Sequence, residues 1–411
     1  ERVKKSVLLL MLTSVLAVLT IISLPAILFG HGAANLIFGD PDQYLYIPLL
    51  IGMLLSEALF ELLVAILRAS NRIQRISIYL FMKGLWRIGA FLLVLVGTSG
   101  GFYKAFWTFV LFQLTVTIVL YVKEVGLAAL VRSGFNSGYS QWSEVLRFSL
   151  PLIPLAALTA ANNFVDRLFL THLYDLETLA VYSAAFSLAA IAAFFYSVLG
   201  FTLFPVLSKF WADGDKDGAA VLMRKVFIIY LSLLLPFVSF IAVIGSDVLL
   251  LLTTEEYSVP TYLPFLLSCN IGLFGIYQIA FYVFLLERGS AQAPFLMGGV
   301  VTINIFFNIL LVPEYGMYGA AIAGFIANIV LSGVFLYKSQ KEFQWQFPWS
   351  AALKITARAV FVGMLIWLID QWSGSYSPPI LILILVGAGL VYMLLDYFDQ
   401  RSSFFSVIRS Y

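Results

Sequence analysis

Apolar runs of about 20 residues recur from one end of the chain to the other, and that recurrence decides the fold class. Such a run crosses a bilayer as a helix, because every backbone polar group then finds its partner inside the segment. Twelve runs are read, over 6–29, 45–67, 76–97, 103–122, 147–170, 178–204, 226–246, 261–286, 291–312, 316–337, 355–371 and 378–396. Gly, Pro, Asn and Asp punctuate the connections, and the two-residue alternation of a membrane β-barrel is absent. With 62% hydrophobic and 11% charged residues, an ordinary soluble domain is excluded. The expected fold is an all-α membrane protein with twelve transmembrane helices.

Basic residues give the orientation, since they stay on the cytoplasmic side. Nineteen of the 24 Lys and Arg lie before the first run, after the even-numbered runs or at the C-terminus, and the alternate loops hold only Lys104. Both ends are therefore expected in the cytoplasm. The other four, Lys83, Arg87, Arg167 and Arg358, fall inside runs. Cys269 stands alone, so no internal disulfide can form, and His31 and His172 fall in separate loops, too few for a metal site. The first run follows Arg2, Lys4 and Lys5 without a small-residue cleavage signature, and reads as a span rather than a signal peptide.

A weak internal repeat organises the runs. GFYKAFWTFVLFQLTVTIVLY (Gly101 to Tyr121) and GMYGAAIAGFIANIVLSGVFLY (Gly316 to Tyr337) both open with Gly-x-Tyr and close with Leu-Tyr. An offset of six spans keeps the two copies in one orientation, as in parallel transporter repeats. The expected organisation is an N-lobe over 1–132, a C-lobe over 133–345, and a terminal helix pair with a cytoplasmic tail over 346–411, the two lobes enclosing a central cavity. Runs 147–170 and 178–204 have no counterpart in the first copy. An intact chain is thus expected to have fourteen spans.

Charges inside the runs need an account. SEALFELL (Ser56 to Leu63) places Glu57 and Glu61 one turn apart, and the next run places Lys83 and Arg87 at the same spacing. Each like-charged pair therefore shares one helix face. With the hairpin tip near Arg72, antiparallel helices bring Glu57 level with Arg87 and Glu61 level with Lys83. An unpaired charge at mid-depth costs about 2.5–3.5 kcal/mol. The four groups either clamp the hairpin as a double ion pair or line a hydrated cavity that binds an anionic head group or a coupling cation.

Further along, Asp166 and Arg167 are adjacent and so point in different directions. They read either as an interfacial anchor or as part of a gate or cavity. Gln113, Asn270, Gln278, Asn304, Asn308 and Asn328 suit hydrogen bonds between helices, or contact with a sugar, which needs amides like these. Arg358, one turn into its run, is expected to snorkel to the cytoplasmic surface. Gly316, Gly319 and Gly324 permit close helix contact. No metal-spaced cluster, no GxxxxGK[ST] stretch and no long external loop appears, which disfavours an enzyme and leaves transport as the best class.

Three stretches carry a resemblance. LRFSLPLIPLAALTAANNFVDRLFLTHLYDLETLAVYSAAFSLAAIAAFFYSVLGFTLFPVLSKFW (Leu146 to Trp211) resembles the middle of the polysaccharide and O-antigen flippases: a Pro-containing span, Asp-Arg, then a short loop leading to Tyr-Ser-Ala-Ala. NILLVPEYGMYGAAIAGFIANIV (Asn308 to Val330) and AILRASNRIQR (Ala65 to Arg75) are similar to two further elements of that family. The family belongs to the multidrug/oligosaccharidyl-lipid/polysaccharide exporter superfamily, whose fourteen helices form two six-helix lobes.

The resemblance implies a flippase that moves an undecaprenyl-diphosphate-linked oligosaccharide from the cytoplasmic to the outer leaflet by alternating access. It also implies H+ or Na+ as coupling ion, no other cofactor, and a bacterial or archaeal cell membrane as the location. Implied partners are the lipid-linked oligosaccharide, membrane lipids and polysaccharide polymerase and export machinery, with no nucleic acid. Arg87 and Lys83 become head-group contacts. Arg68 and Arg147 attract the diphosphate at the cytoplasmic entrance. Glu57, Glu61, Asp166 and Arg167 are left for ion coupling or charge pairing. Two rivals stand beside this, a cation-coupled multidrug exporter of the same superfamily and a lipid-embedded glycosyltransferase.

Overall fold

A computed structural model describes residues 2–38, 41–70, 72–97, 101–124, 150, 152–286, 291–373 and 378–398. The described residues are helical almost throughout, with no strand among them. Seven helices among them are long and apolar enough to cross a membrane, beside shorter apolar ones. The chain forms two compact units, Glu1–Leu146 and Arg147–Tyr411.

Unit 1 holds α1 (Arg2–Leu28), α2 (Gly30–Phe38), a 3-10 turn over Pro41–Leu45, α3 (Tyr46–Ala69), α4 (Ile73–Gly97) and α5 (Gly101–Glu124). The α3–α4 hairpin closes where expected, with the Arg72 amide donating back to the Leu67 carbonyl at 3.0 Å. Near the same end, the Glu124 side chain is fully enclosed. It accepts from Tyr79 Oη (2.7 Å), Arg72 Nη1 (2.7 Å) and Arg75 Nη1 (2.8 Å to Oε1), tying α5 to α4 and to the loop before it.

Unit 2 holds α6 (Leu152–Leu173), α7 (Leu176–Ala189), α8 (Ile191–Ala212), α9 (Lys216–Leu252), α10 (Tyr262–Leu286), α11 (Ala293–Phe343), α12 (Trp349–Ser373) and α13 (Pro378–Phe398). The single run expected over 178–204 is divided between α7 and α8. At Ala190 the ladder tightens to an i→i+3 bond, Ala193 N to Ala190 O at 2.9 Å. Asp175 caps α7 by accepting from the Thr178 amide at 2.7 Å.

Helix α11 carries 51 residues, about 76 Å if straight, against a hydrocarbon core of about 30 Å. It is two limbs. Asn162 of α6 bonds both Asn304 and Asn328, at 3.1 and 3.3 Å, so the chain must fold back midway between those two residues. Gly316 does this, with φ 54° and ψ −131°, a conformation open to glycine and strained for residues bearing a β-carbon. Tyr174 Oη donates to the freed carbonyls of Val312 (3.0 Å) and Pro313 (3.3 Å). The two runs expected over 291–312 and 316–337 are these limbs.

Aromatic packing fills the rest of the unit 2 core. Phe227 stacks on Trp345 with centroids 5.1 Å apart, and Phe335 meets Tyr277, Phe281 and Phe284 edge-on. Large apolar side chains such as Ile21, Phe29, Phe295 and Leu353 stand exposed, a surface that suits lipid and not water. Arg358 does not snorkel as expected. Its Nη1 pairs with Asp396 Oδ1 at 2.9 Å, joining α12 to α13 with both side chains largely enclosed.

Candidate functional site

The charges of SEALFELL do meet those of α4, in a tighter arrangement than two level pairs. Both predicted contacts exist, Arg87 Nη2 to Glu57 Oε2 and Lys83 Nζ to Glu61 Oε1, each at 3.8 Å. The short bond is the crossed one, Lys83 Nζ to Glu57 Oε1 at 2.6 Å. The reason is reach. Two carboxylates four residues apart are separated by about 6 Å along the axis, and one flexible ammonium stem settles between them. Its Nζ also lies 4.3 Å from the Phe60 ring centroid.

The other oxygen of Glu57 accepts from Gln113 Nε2 at 2.9 Å, so the cluster joins α3, α4 and α5 and is more than a hairpin clamp. Lys83 is nearly enclosed, while Arg87 and Glu61 are more than half exposed. Arg68 sits exposed in the last turn of α3, seven residues beyond Glu61. Arg147 lies outside the described residues.

In unit 2 the polar centre is a line of buried side chains. Asp166 is buried on α6, and its oxygens accept from Tyr182 Oη of α7 (3.0 Å) and Asn308 Nδ2 of α11 (3.2 Å). Asn308 Nδ2 also donates to Asn304 Oδ1 (2.8 Å), and Asn304 Nδ2 to Asn162 Oδ1 (3.1 Å). Asn162 Nδ2 donates to Asn328 Oδ1 (3.3 Å), and Asn328 in turn to Asn270 of α10. Gly324 makes room, since a β-carbon there would press on Asn270 Nδ2 and Asp166 Oδ2. Among the described residues Asp166 forms no salt bridge, and its side-chain donors, Tyr182 and Asn308, are both neutral.

Arg167 goes elsewhere, as adjacency requires. Its guanidinium lies over Phe186 at 4.3 Å and Phe164 at 5.3 Å, and its Nε has no hydrogen-bond partner among the described residues. Asp166 is therefore an interior group, and the interfacial-anchor alternative does not describe it. Sequence reasoning supplied the carboxylate and the amides but missed Tyr182 and Glu124, each recruited by tertiary proximity. No metal-sized cluster of His, Cys, Asp or Glu occurs among the described residues.

Two hydrogen bonds recur in both units. In unit 1, Thr117 Oγ1 donates to the Gln113 carbonyl at 2.7 Å, and Gln113 Nε2 bonds Glu57 of α3. In unit 2, the residues 215 positions on do the same: Ser332 Oγ donates to the Asn328 carbonyl at 2.7 Å, and Asn328 Nδ2 bonds Asn270 of α10.

Comparison with known proteins decides the family. The polysaccharide biosynthesis protein family matches over residues 1–211, and MatE over 151–310. The chain belongs to the polysaccharide biosynthesis protein family. Among relatives of the family, capsular polysaccharide biosynthesis protein CapF of Staphylococcus aureus is 24% identical over 211 residues, which is 51% of this chain and 53% of CapF. The probable flippase AglR of Haloferax volcanii is 25% identical over 285 residues, 66% of this chain and 56% of AglR.

The matches thus span about half the length of these curated relatives. The lipid II flippase MurJ in its inward closed conformation shares the fold, with a TM-score of 0.71 at 15% identity over 97% of this chain and 84% of MurJ. Family, fold and apolar helices together make this a multi-pass all-α membrane protein.

Proposed function

We propose that the protein is a flippase that moves an undecaprenyl-diphosphate-linked oligosaccharide from the cytoplasmic to the outer leaflet by alternating access, serving polysaccharide or O-antigen synthesis. The observation that carries this is Arg87, a guanidinium on α4 that stays more than half exposed and only loosely paired, 3.8 Å from Glu57. A diphosphate cannot enter hydrocarbon unaided, and such a cation lowers the barrier along its path.

In this reading Arg87 and Lys83 contact the head group, while Glu57 and Glu61 hold Lys83 in place. Arg68 and Arg147 draw the diphosphate in at the cytoplasmic end. Asp166, a carboxylate held by the neutral donors Tyr182 and Asn308, takes a proton or a sodium ion as coupling ion. Arg167, beside it in sequence, offsets that charge from a distance. The host is a bacterial or archaeal cell membrane with both chain ends in the cytoplasm, and polymerase and export machinery are the partners downstream. The names of CapF and AglR and the MurJ-like fold support the reading.

The test is glycan export in a strain that depends on this gene. Arg87→Ala is expected to lose export while membrane abundance persists, and normal export by that variant removes the site. A second reading, a cation-coupled multidrug exporter of the same superfamily, is favoured only by the MatE match. Drug uptake by inverted vesicles, with surface glycan indifferent to the gene, decides for it.

A further inference from the structure

Beside the α3–α4 turn, unit 1 encloses a carboxylate among more positive charge than it can neutralise. Glu124 accepts from Arg72 Nη1 (2.7 Å), Arg75 Nη1 (2.8 Å) and Tyr79 Oη (2.7 Å), and its side chain is fully enclosed. The arginines are not, at 46% and 51% exposed. Each gives Glu124 one nitrogen, Nη1, while Nε and Nη2 of both meet no acceptor among the described residues. A guanidinium carries five N–H donors in a fork that suits two oxygens at once. Two such forks around one carboxylate leave a positive charge over and most of the donors unused.

Unit 2 closes the matching helix end without this charge. At the positions 215 further on, Arg72, Arg75, Tyr79 and Glu124 are replaced by Glu287, Ser290, Pro294 and Ser339. Ser339 is fully buried, and its Oγ donates within its own helix, to the Leu336 carbonyl at 2.9 Å. An enclosed ion pair also costs desolvation that neutral packing avoids, so stability alone does not account for Glu124. One anion between two half-exposed forks has the form of a place-holder for another. A phosphate group carries more oxygens for the unused donors, and paired arginines are its usual partners. The positive end of the α4 dipole lies at the same turn.

We propose that Arg72, Arg75 and Tyr79 form a binding site for a phosphate group, and that Glu124 is its internal competitor, holding the arginines until a phosphate displaces it. Displacement frees the end of α5 from α4, so ligand and latch exclude one another. The phosphate belongs either to a diphosphate or to a phospholipid head group, and the chemistry recognised is the same. The site uses neither Arg87 nor Lys83, and it stands without the flippase reading.

The experiment titrates the purified protein, in nanodiscs of phosphatidylcholine, with inorganic diphosphate by calorimetry. An internal competitor lowers apparent affinity in proportion to the time it holds the site. Glu124→Gln keeps the size and removes the charge, so it is expected to bind diphosphate about tenfold more tightly than the unmodified protein. Arg72→Gln/Arg75→Gln is expected to lose binding. A purely structural ion pair predicts the reverse, unchanged or weaker binding in Glu124→Gln. In a second arm, native mass spectrometry counts the phosphatidylglycerol that the same three proteins retain from mixed nanodiscs. The expected order in the first arm assigns a diphosphate, and in the second a lipid head group. Its failure in both arms overturns the proposal, as does binding that survives Arg72→Gln/Arg75→Gln. Where Glu124→Gln does not fold, Glu124→Asp decides. It keeps the charge but shortens its reach, so binding should tighten by a smaller factor, and equal or weaker binding overturns the proposal.

Discussion

The two units solve one problem, polarity inside a membrane helix bundle, with opposite chemistry. Both carry an amide on the helix that opens Gly-x-Tyr, bonded across to a neighbouring helix: Gln113 to Glu57 in unit 1, Asn328 to Asn270 in unit 2. In unit 1 the partner is a carboxylate that brings two cations with it, and half of the cluster reaches the surface. In unit 2 the partner is another amide, and the one carboxylate on the line, Asp166, is enclosed among neutral donors. The two units thus hold a compensated, partly exposed charge cluster in one place and, in the other, an enclosed carboxylate without a salt bridge among the described residues. On the proposed reading, the first arrangement meets a charged ligand and the second gains and loses one small ion.

That contrast can be broken experimentally. The largest effect is expected from Asp166→Asn, which keeps the size but deletes the charge and turns one of the two accepting oxygens into a donor. Export should fall about 5- to 150-fold, the range of a coupling free energy of about 1–3 kcal/mol, with thermal stability in detergent nearly unchanged. Unchanged export would make Asp166 a structural group like its amide neighbours.

Next in size, Lys83→Ala strips Glu57 of its short ion pair and should cost about 2 kcal/mol in thermal unfolding, less than a fully buried pair because Glu57 is partly exposed. Arg87→Ala, between exposed partners at 3.8 Å, should cost less than about 1 kcal/mol by the same measurement. Equal losses would mean that the cluster is a clamp and Arg87 part of it. An effect of similar size is expected from Asn328→Ala, about 0.6–1.7 kcal/mol, the ordinary worth of a hydrogen bond between membrane helices. A loss well beyond that would show the amide line acting as a unit.

Much of this was legible in the sequence, for reasons that also explain the rest. Glu57, Glu61, Lys83 and Arg87 stood out because charges are costly in apolar runs, and helical spacing with one hairpin tip sufficed to bring them together. The amides Asn304, Asn308 and Asn328 stood out for the same reason. Their order along the line did not, because it depends on how α6 lies against two limbs that only Gly316 brings side by side.

Tyr182 gave no signal, since a tyrosine in an apolar run is unremarkable until a carboxylate faces it. Glu124 gave none either: it sits where a helix reaches the surface and a charge is ordinary. Arg358 was misjudged although the information was present. Its partner Asp396 lies as far beyond residue 377, in the turn between the last two runs, as Arg358 lies before it. The hairpin rule that paired Glu57 with Arg87 would have found them.

The amide line has one further consequence. Asparagine side chains align their dipoles and stiffen one another, but at neutral pH they neither release nor accept protons. The row from Asn308 to Asn270 is therefore an insulator: it can pass polarisation between helices and cannot conduct charge. Among the side chains bonded to Asp166, only Tyr182 carries a hydroxyl able to relay a proton, so traffic to that carboxylate would enter from the α7 side, whatever the amides hold together.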